Sequence, residues 1–144
     1  MGGNISIPKA SFHEMQNVAK STINKTCILI STLPSHLQHC LIPTTLSIEN
    51  EEEIINASIS NKLNASIYVY GMNNNDESVL TKYKQLISLG CSNLYIYYGG
   101  MFEWLLLQEV YGEEEFPTNG EELDILKFAP SSKPKLLMIL DKNP

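Results

Sequence analysis

The sequence lacks the features that mark disulfide-rich, membrane-spanning or nucleic-acid-binding proteins. Its three cysteines are widely spaced and include no Cys-x-x-Cys pair, so neither a disulfide framework nor a zinc site is predicted. No apolar run approaches the ~20 residues of a membrane span, and the first residues lack the regions of a signal peptide. Ten Lys and Arg against 16 Asp and Glu give a net charge of −6, which argues against a nucleic-acid partner. We expect reduced cysteines and a cytoplasmic location.

The 144 residues contain three apolar, β-branched runs that alternate with helical patterns. This length suits one domain, and alternating strands and helices predict βαβ units with a parallel sheet. The predicted fold class is therefore α/β, a three-layer arrangement with a mainly parallel central sheet and helices on both faces. The strands are predicted in the runs CILIST, IYVYG and NLYIYYGG. The helices are predicted over Ser11–Lys20, Glu51–Lys62, Ser78–Leu89 and Met101–Val110.

Two of the predicted helices carry explicit sequence signals. Ser11 followed by Glu14 is a capping-box pattern, and Gly90 is placed as the glycine that ends a helix. An apolar face is predicted on each of the two central helices. These faces comprise Ile54, Ile55 and Ile59 in the earlier helix, and Val79, Tyr83, Leu86 and Ile87 in the later one.

The loop after the second strand is the first candidate site, because ligands of α/β proteins bind beyond the carboxyl ends of strands. It comprises Gly71, Met72, Asn73, Asn74, Asn75, Asp76, Glu77 and Ser78. Its composition is typical of a turn followed by a helix cap, with Asn75 or Asp76 as the capping residue. The alternative is a polar pocket for a neutral or cationic group. No residue of the loop is a nucleophile of the cysteine type.

Other chemistry-bearing residues form no recognisable motif. His36 and His39, three residues apart and next to Cys40, are spaced as metal ligands on a helical turn, but no partner motif accompanies them. Asp76 and Glu77 are adjacent, so their carboxylates are expected to point apart rather than share a cation. We predict no metal, no cofactor and no catalytic residue.

Both ends of the sequence carry interaction signals. The first six residues, MGGNIS, match the M-G-x-x-x-[ST] acylation pattern, which predicts N-myristoylation of Gly2 and reversible membrane contact. Residues 129–144 form a Pro- and Ser-rich linker and a tail whose apolar patch, Leu136 to Leu140, is too short to span a bilayer. That patch is either an edge strand or a docking segment. An aromatic group is either a further candidate surface or in large part core: Tyr97, Tyr98, Phe102 and Trp104.

The order of these elements resembles the rhodanese-like domain over about residues 5 to 128. In that family a strand ends in a Tyr-Cys pair, a tight loop enters a helix that ends in Leu-Gly, and the next strand finishes in Gly-Gly-x-x-x-Trp. The matching residues here are Tyr70, Leu89, Gly90, Asn93, Tyr95, Gly99, Gly100 and Trp104. Upstream, ILIST resembles the family's Leu-Ile-Asp-Val-Arg strand, and LIPTTLSI resembles His-Ile-Pro-Gly-Ala-Ile-Asn-Ile.

The departures from the family pattern predict loss of sulfur-transfer chemistry. Gly71 stands where sulfurtransferases carry the nucleophilic cysteine, and Asn74, Asp76 and Glu77 stand where the loop's glycine, arginine and serine would be. A thiolate needs a positive environment, whereas this loop offers two carboxylates. Other losses concern the family's Asp-Arg pair and its histidine, replaced by Ser31, Leu33 and Leu41.

The sequence thus predicts a catalytically inactive rhodanese-like module that binds an unidentified protein partner. The predicted domain organisation is an N-terminal segment 1–10 with the acylation signal, a rhodanese-like domain 11–128, and a linker and tail 129–144. Three stretches in combination are also similar to small rhodanese-like proteins of large DNA viruses that infect eukaryotes: YGMNNNDES, KYKQLISLGCSNLYIYYGGMFEWLLLQEVYGEEEFPT and ELDILKFAP. This resemblance implies a viral protein in host cytoplasm or in the particle. The alternative function is an enzyme of different chemistry that uses Asp76 or Glu77 as a general base.

Overall fold

Four α-helices and a three-stranded parallel sheet make up the fold, in a computed structural model that describes residues 7–20, 27–60 and 65–130. The elements follow one another as α1 (Phe12–Ala19), β1 (Cys27–Ser31), α2 (Ile48–Ser60), β2 (Ser66–Tyr70), α3 (Glu77–Ser88), β3 (Leu94–Tyr97) and α4 (Gly100–Tyr111). Two short 3-10 helices cover Ser35–Leu37 and Ile125–Phe128. The predicted α/β class is confirmed.

The strands lie in the order β1-β2-β3, and both pairs are parallel. Their carboxyl ends are in register, since Ser31 pairs with Tyr70 and Tyr70 with Tyr97. Single bridges extend the sheet at each edge, from Lys9 to Ile96 beside β3 and from Leu29 to Thr45 beside β1. Residues 8–10 therefore already take part in the sheet, although the sequence analysis assigned them to the N-terminal segment 1–10 and not to the domain.

The helices cover both faces of the sheet, as predicted. On one face, α1 and α4 pack against side chains such as Leu29, Tyr68 and Tyr97. On the other face, α2 and α3 pack against a second cluster that includes Ile30 and Val69. This division follows from the two-residue period of a strand, which sends successive side chains to opposite faces.

Most helix signals are confirmed, with two differences. The Ser11 and Glu14 capping box is present, and Gly90 ends α3 with a φ of +106°. The start of α2 lies three residues earlier than predicted, at Ile48. The prediction that Ile87 belongs to the buried face of α3 is wrong, because its side chain is 46% exposed while Leu86 is buried. Leu89, directly after α3, is also 49% exposed, so the end of this helix is covered only in part.

The signals at the two ends of the sequence lie outside the described residues. These signals are the acylation pattern at Gly2 and the apolar patch from Leu136 to Leu140. Among the residues that are described, no helix is long and apolar enough to cross a membrane.

A buried tyrosine at the end of β2 links the sheet to the segment that flanks β1. The Tyr70 hydroxyl accepts a hydrogen bond from the Ile42 backbone N–H at 3.2 Å and lies 2.7 Å from the Thr45 hydroxyl. Burial raises the pKa of Tyr70 well above its ordinary value, so this hydroxyl stays protonated. These contacts hold residues 42–45 against the sheet edge.

Replacing this hydroxyl should destabilise the fold. We expect Tyr70→Phe to lower the free energy of unfolding by about 1–3 kcal/mol, because the buried Ile42 N–H loses its acceptor. Urea denaturation followed by circular dichroism measures the change. Tyr98→Phe, at a half-buried position, is the control and should change stability by less than about 0.5 kcal/mol. Equal changes in stability for the two variants would contradict the stabilising role of the Tyr70 hydroxyl.

Candidate functional site

The 71–78 loop lies at the carboxyl edge of the sheet, directly after β2. Thr32 follows β1 at the same edge, and its N–H donates to the Tyr70 carbonyl at 2.9 Å. The Ser78 hydroxyl lies 2.8 Å from the Thr32 hydroxyl, and this contact joins the end of the loop to the neighbouring strand. Thr32 was not among the predicted site residues. Its position immediately after β1 is the signal that would have found it.

The Asp76 carboxylate folds back into its own loop. One oxygen accepts from the Met72 N–H at 2.9 Å, and the other accepts from the Ser78 N–H at 3.0 Å and from the Ser78 hydroxyl at 2.6 Å. Asp76 is therefore the N-cap of α3, which confirms the prediction of a cap at Asn75 or Asp76. Loop N–H groups that would be available to an external anion donate instead to this side chain.

The space beside Gly71 is already occupied. A Cβ atom built at this position would meet the Asp76 carboxylate, and would come within 2.6 Å of Val79 Cγ2 and 2.7 Å of Thr32 Oγ1. Real Cβ contacts are not this short, so any side chain at residue 71 requires its neighbours to move. The close packing of the loop therefore requires glycine at residue 71. The same residue has no side chain that could act as a nucleophile.

Asn73 fixes the middle of the loop from within. Its side-chain amide donates to the Phe128 carbonyl at 2.8 Å, and its side-chain oxygen accepts from the Asn75 N–H at 2.8 Å. Asn73 is 8% exposed, unlike Asn74 and Asn75, which face solvent. The contact with Phe128 spans 55 residues of sequence, and sequence reasoning did not identify it.

The first turn of α4 packs directly on the loop. The Met101 N–H donates to the Gly71 carbonyl and the Phe102 N–H to the Met72 carbonyl, both at 2.9 Å. Gly100 has a φ of +65°, and a Cβ atom there would lie 2.6 Å from the Gly71 oxygen. The Gly-Gly pair before α4 therefore allows the helix to approach the loop backbone closely.

An open cleft of about 260 Å³ lies over the loop. Its lining comprises Asn73, Asn74, Asn75, Asp76, Glu77, Val79, Leu80 and Tyr98. Small-molecule sites usually enclose about 300–1,000 Å³ and bury most of their ligand, so this cleft is small for an enzyme site. A groove of about 450 Å³ lies between α2 and α3, where Lys82 and Glu51 form a salt bridge at 2.6 Å.

Three of the positions that depart from the rhodanese-like pattern, Ser31, Leu33 and Leu41, carry uncharged side chains. Ser31 is buried, and its hydroxyl accepts from the Leu33 N–H at 3.1 Å. Leu33 belongs to the core, and Leu41 pairs with Asn119 through two backbone hydrogen bonds of 3.0 and 2.8 Å. These three residues contribute to packing and to hydrogen bonds within the fold, and none of them carries a charge.

The cysteines do not substitute for a nucleophile at the loop. No disulfide joins Cys27, Cys40 and Cys91, all of which lie in the described parts of the chain. Cys40 is buried beside the Gly120 carbonyl, and Cys91 lies before β3, at the opposite end of the sheet from the loop. Burial raises the pKa of both thiols, whereas a nucleophilic cysteine needs a lowered pKa.

The segment that contains His39 contacts Glu122, which also forms an ion pair with Lys127. His39 Nε2 lies 2.9 Å from Glu122, and Lys127 Nζ lies 2.9 Å from the same carboxylate oxygen. The hydrogen bonds from Lys127 and from the Asp124 N–H lower the pKa of Glu122 to about 2. In the described parts of the chain, no group of three His, Cys, Asp or Glu side chains is placed to hold a metal ion.

The aromatic group is mostly core rather than surface. Tyr97 and Trp104 are buried, with their rings packed edge-on at 6.2 Å. The Tyr97 hydroxyl donates to Glu103 at 2.7 Å, and the Trp104 indole N–H donates to the Pro117 carbonyl at 2.8 Å. The proposal that these two side chains form a binding surface is therefore wrong. Tyr98 is half-buried and lines the cleft.

Comparison of the sequence with models of known protein families and with curated proteins finds no match. The rhodanese-like resemblance consequently stays a prediction, whereas the α/β architecture is established by the fold itself.

Installing a thiol in this loop should not create a sulfurtransferase. We expect Gly71→Cys to show no thiosulfate:cyanide turnover above wild type, because Asp76 repels a thiolate and already binds the Met72 and Ser78 N–H groups. Thiocyanate formation is the readout, measured on protein whose circular dichroism matches wild type.

A second variant tests the electrostatic argument by a readout other than turnover. Gly71→Cys/Asp76→Ser removes the carboxylate, so the thiol at residue 71 should be alkylated by iodoacetamide several-fold faster at pH 7 than in Gly71→Cys. Peptide mapping distinguishes this thiol from the three native ones. Substantial turnover by Gly71→Cys alone would contradict the electrostatic argument.

Proposed function

We propose that the chain is a rhodanese-like domain without sulfur-transfer chemistry that acts as a protein-binding module or scaffold. One observation carries this proposal: the Asp76 carboxylate occupies the space beside Gly71 and accepts the hydrogen bonds of the surrounding loop. A persulfide or phosphate anion at this position would meet a carboxylate and would find those N–H donors already engaged. Anion-based catalysis is thus opposed by both charge and geometry.

The enzyme alternative, with Asp76 or Glu77 as a general base, has less support. Both oxygens of Asp76 accept hydrogen bonds as part of the helix cap. Glu77 is exposed in the first turn of α3, where a carboxylate stabilises the helix. A general base needs a water-poor cleft, and the space over the loop is small and open.

The cleft over the loop suits a protein side chain. Its floor includes the apolar side chains of Val79 and Leu80 and the ring of Tyr98, while the exposed Asn74 and Asn75 form a polar rim. An apolar floor with polar groups at the rim resembles the organisation of protein interfaces. The proposed partner therefore inserts an apolar residue and hydrogen-bonds to the rim.

A charge placed in the cleft should abolish partner recovery. In eukaryotic cells that express proximity-labelling fusions, we expect a specific set of proteins with wild type that is lost with Leu80→Asp. Ile87→Asp is the matched control, because Ile87 is exposed on the same helix but does not line the cleft. Identical protein sets for all three versions would contradict the proposal that the cleft binds a partner.

Membrane attachment through Gly2 is the second part of the proposal. Residue 8 is held at the sheet edge, since the Pro8 carbonyl accepts from the Ile96 N–H at 3.0 Å. The six residues 2–7 can span about 20 Å when extended, which limits how far an acyl group on Gly2 can lie from this edge. Lys9 Nζ lies 5.3 Å from the centre of the Tyr98 ring, so the tether begins beside the cleft. A myristoylated chain would present its cleft close to the membrane surface.

Acylation can be tested directly by intact mass. Co-expression with a eukaryotic N-myristoyltransferase should add one myristoyl group to wild type and none to Gly2→Ala, since the enzyme acylates only an exposed N-terminal glycine. Wild type should then sediment with lipid vesicles only in part, because one acyl chain gives marginal affinity. An unmodified Gly2 would remove membrane attachment from the proposal and leave the loop cleft unaffected.

A further inference from the structure

Helix α4 is apolar around almost its whole circumference, yet part of it faces solvent. Met101, Trp104 and Leu105 are buried against the sheet. On the other side, Leu106 is 43% exposed and Val110 is 72% exposed. A helix that is apolar on all sides is normally buried on all sides, so the exposed side is expected to have a cover.

Acidic residues adjoin these apolar side chains. Leu106, Glu109, Val110 and Glu113 follow one another at intervals of three, one and three residues, which places them on neighbouring positions of one helical face and the turn after it. Glu109 and Glu113 also line a cleft of about 240 Å³, together with the 84% exposed Leu123. We call these five residues the α4 outer face. Within the described parts of the chain, Glu109 and Glu113 form no salt bridge.

The segment beyond residue 130 has the complementary composition. Its sequence, SSKPKLLMILDKNP, contains five consecutive apolar residues flanked by lysines. Three lysines and one aspartate make it basic in a chain whose net charge is −6. Apolar residues beside positive charges match a surface on which leucine and valine lie beside glutamates.

The chain leaves the described fold close enough to reach this surface. Phe128 is fixed by Asn73 beside the loop, and the first turn of α4 is fixed on the same loop. Ile125, three residues earlier, lines the cleft of the α4 outer face. Helix α4 is about 18 Å long, and the five residues 131–135 can span about 17 Å. The apolar stretch that starts at Leu136 is therefore within reach of α4.

We infer that residues 131–144 dock on the α4 outer face of their own chain, with the Leu136–Leu140 stretch on Leu106 and Val110 and the flanking lysines on Glu109 and Glu113. This docking buries the exposed side of α4 and pairs its carboxylates. It is independent of the loop cleft and of the proposed function. A partner that displaces the segment would gain access to an apolar helical surface.

Photo-crosslinking on the full chain tests this contact. The photoreactive amino acid p-benzoylphenylalanine replaces Leu137, and peptide mapping identifies the crosslinked residues. We expect crosslinks within one chain to residues 105–113 or 121–125, with a yield that does not change with protein concentration. Crosslinks confined to the α2–α3 groove, crosslinks found only between two chains, or no intramolecular crosslink would each overturn the inference.

Charge variants of the same photoreactive protein test the pairing. Lys135→Glu should lower the crosslink yield about two- to fivefold, as loss of an exposed ion pair does, and adding Glu109→Lys should restore it. Lys84→Glu, an exposed residue of α3, is the matched control and should leave the yield unchanged. An equal effect of Lys84→Glu, or no effect of Lys135→Glu, would contradict the docking geometry.

Discussion

The close backbone approach between Gly100 and the 71–73 segment is the constraint on which the candidate site depends. Two hydrogen bonds of 2.9 Å join the first turn of α4 to the carbonyls of Gly71 and Met72. A Cβ atom on Gly100 would lie 2.6 Å from the Gly71 oxygen, so a larger residue would separate the helix from the loop. Because α4 also carries the buried Trp104, this contact couples the shape of the loop to the core.

The side chain of Asp76 determines whether the loop can bind an anion. The Asp76 carboxylate satisfies the Met72 and Ser78 N–H groups and fills the space beside Gly71. The loop thus provides internally the negative group that an anion-binding loop would take from a ligand. Hydrogen bonds to a charged acceptor are about twice as strong as neutral ones, so the carboxylate stabilises the loop while it excludes other anions.

Local signals predicted most of the elements, and long-range contacts account for what was missed. The Ser11 capping box, the Gly90 helix end and the three apolar runs all concern neighbours in sequence, and each is present. The bond from Asn73 to Phe128 joins distant residues, which no local pattern reports. Periodicity placed Ile87 on the buried face of α3, but its burial depends on tertiary neighbours, and the side chain is 46% exposed. The exposure of individual aromatic residues depends on packing in the same way.

The arrangement of surfaces favours a module that binds on two sides. Both sheet edges carry a bridge, at Lys9 and at Thr45, which limits strand addition there. The loop cleft includes Val79 and Tyr98, which belong to the core on the α2–α3 face. The α4 outer face lies on the opposite side of the sheet, with the other core. A ligand in the cleft and a segment on α4 would therefore not compete for space. Asn73 contacts both the loop and Phe128, near the end of the described chain.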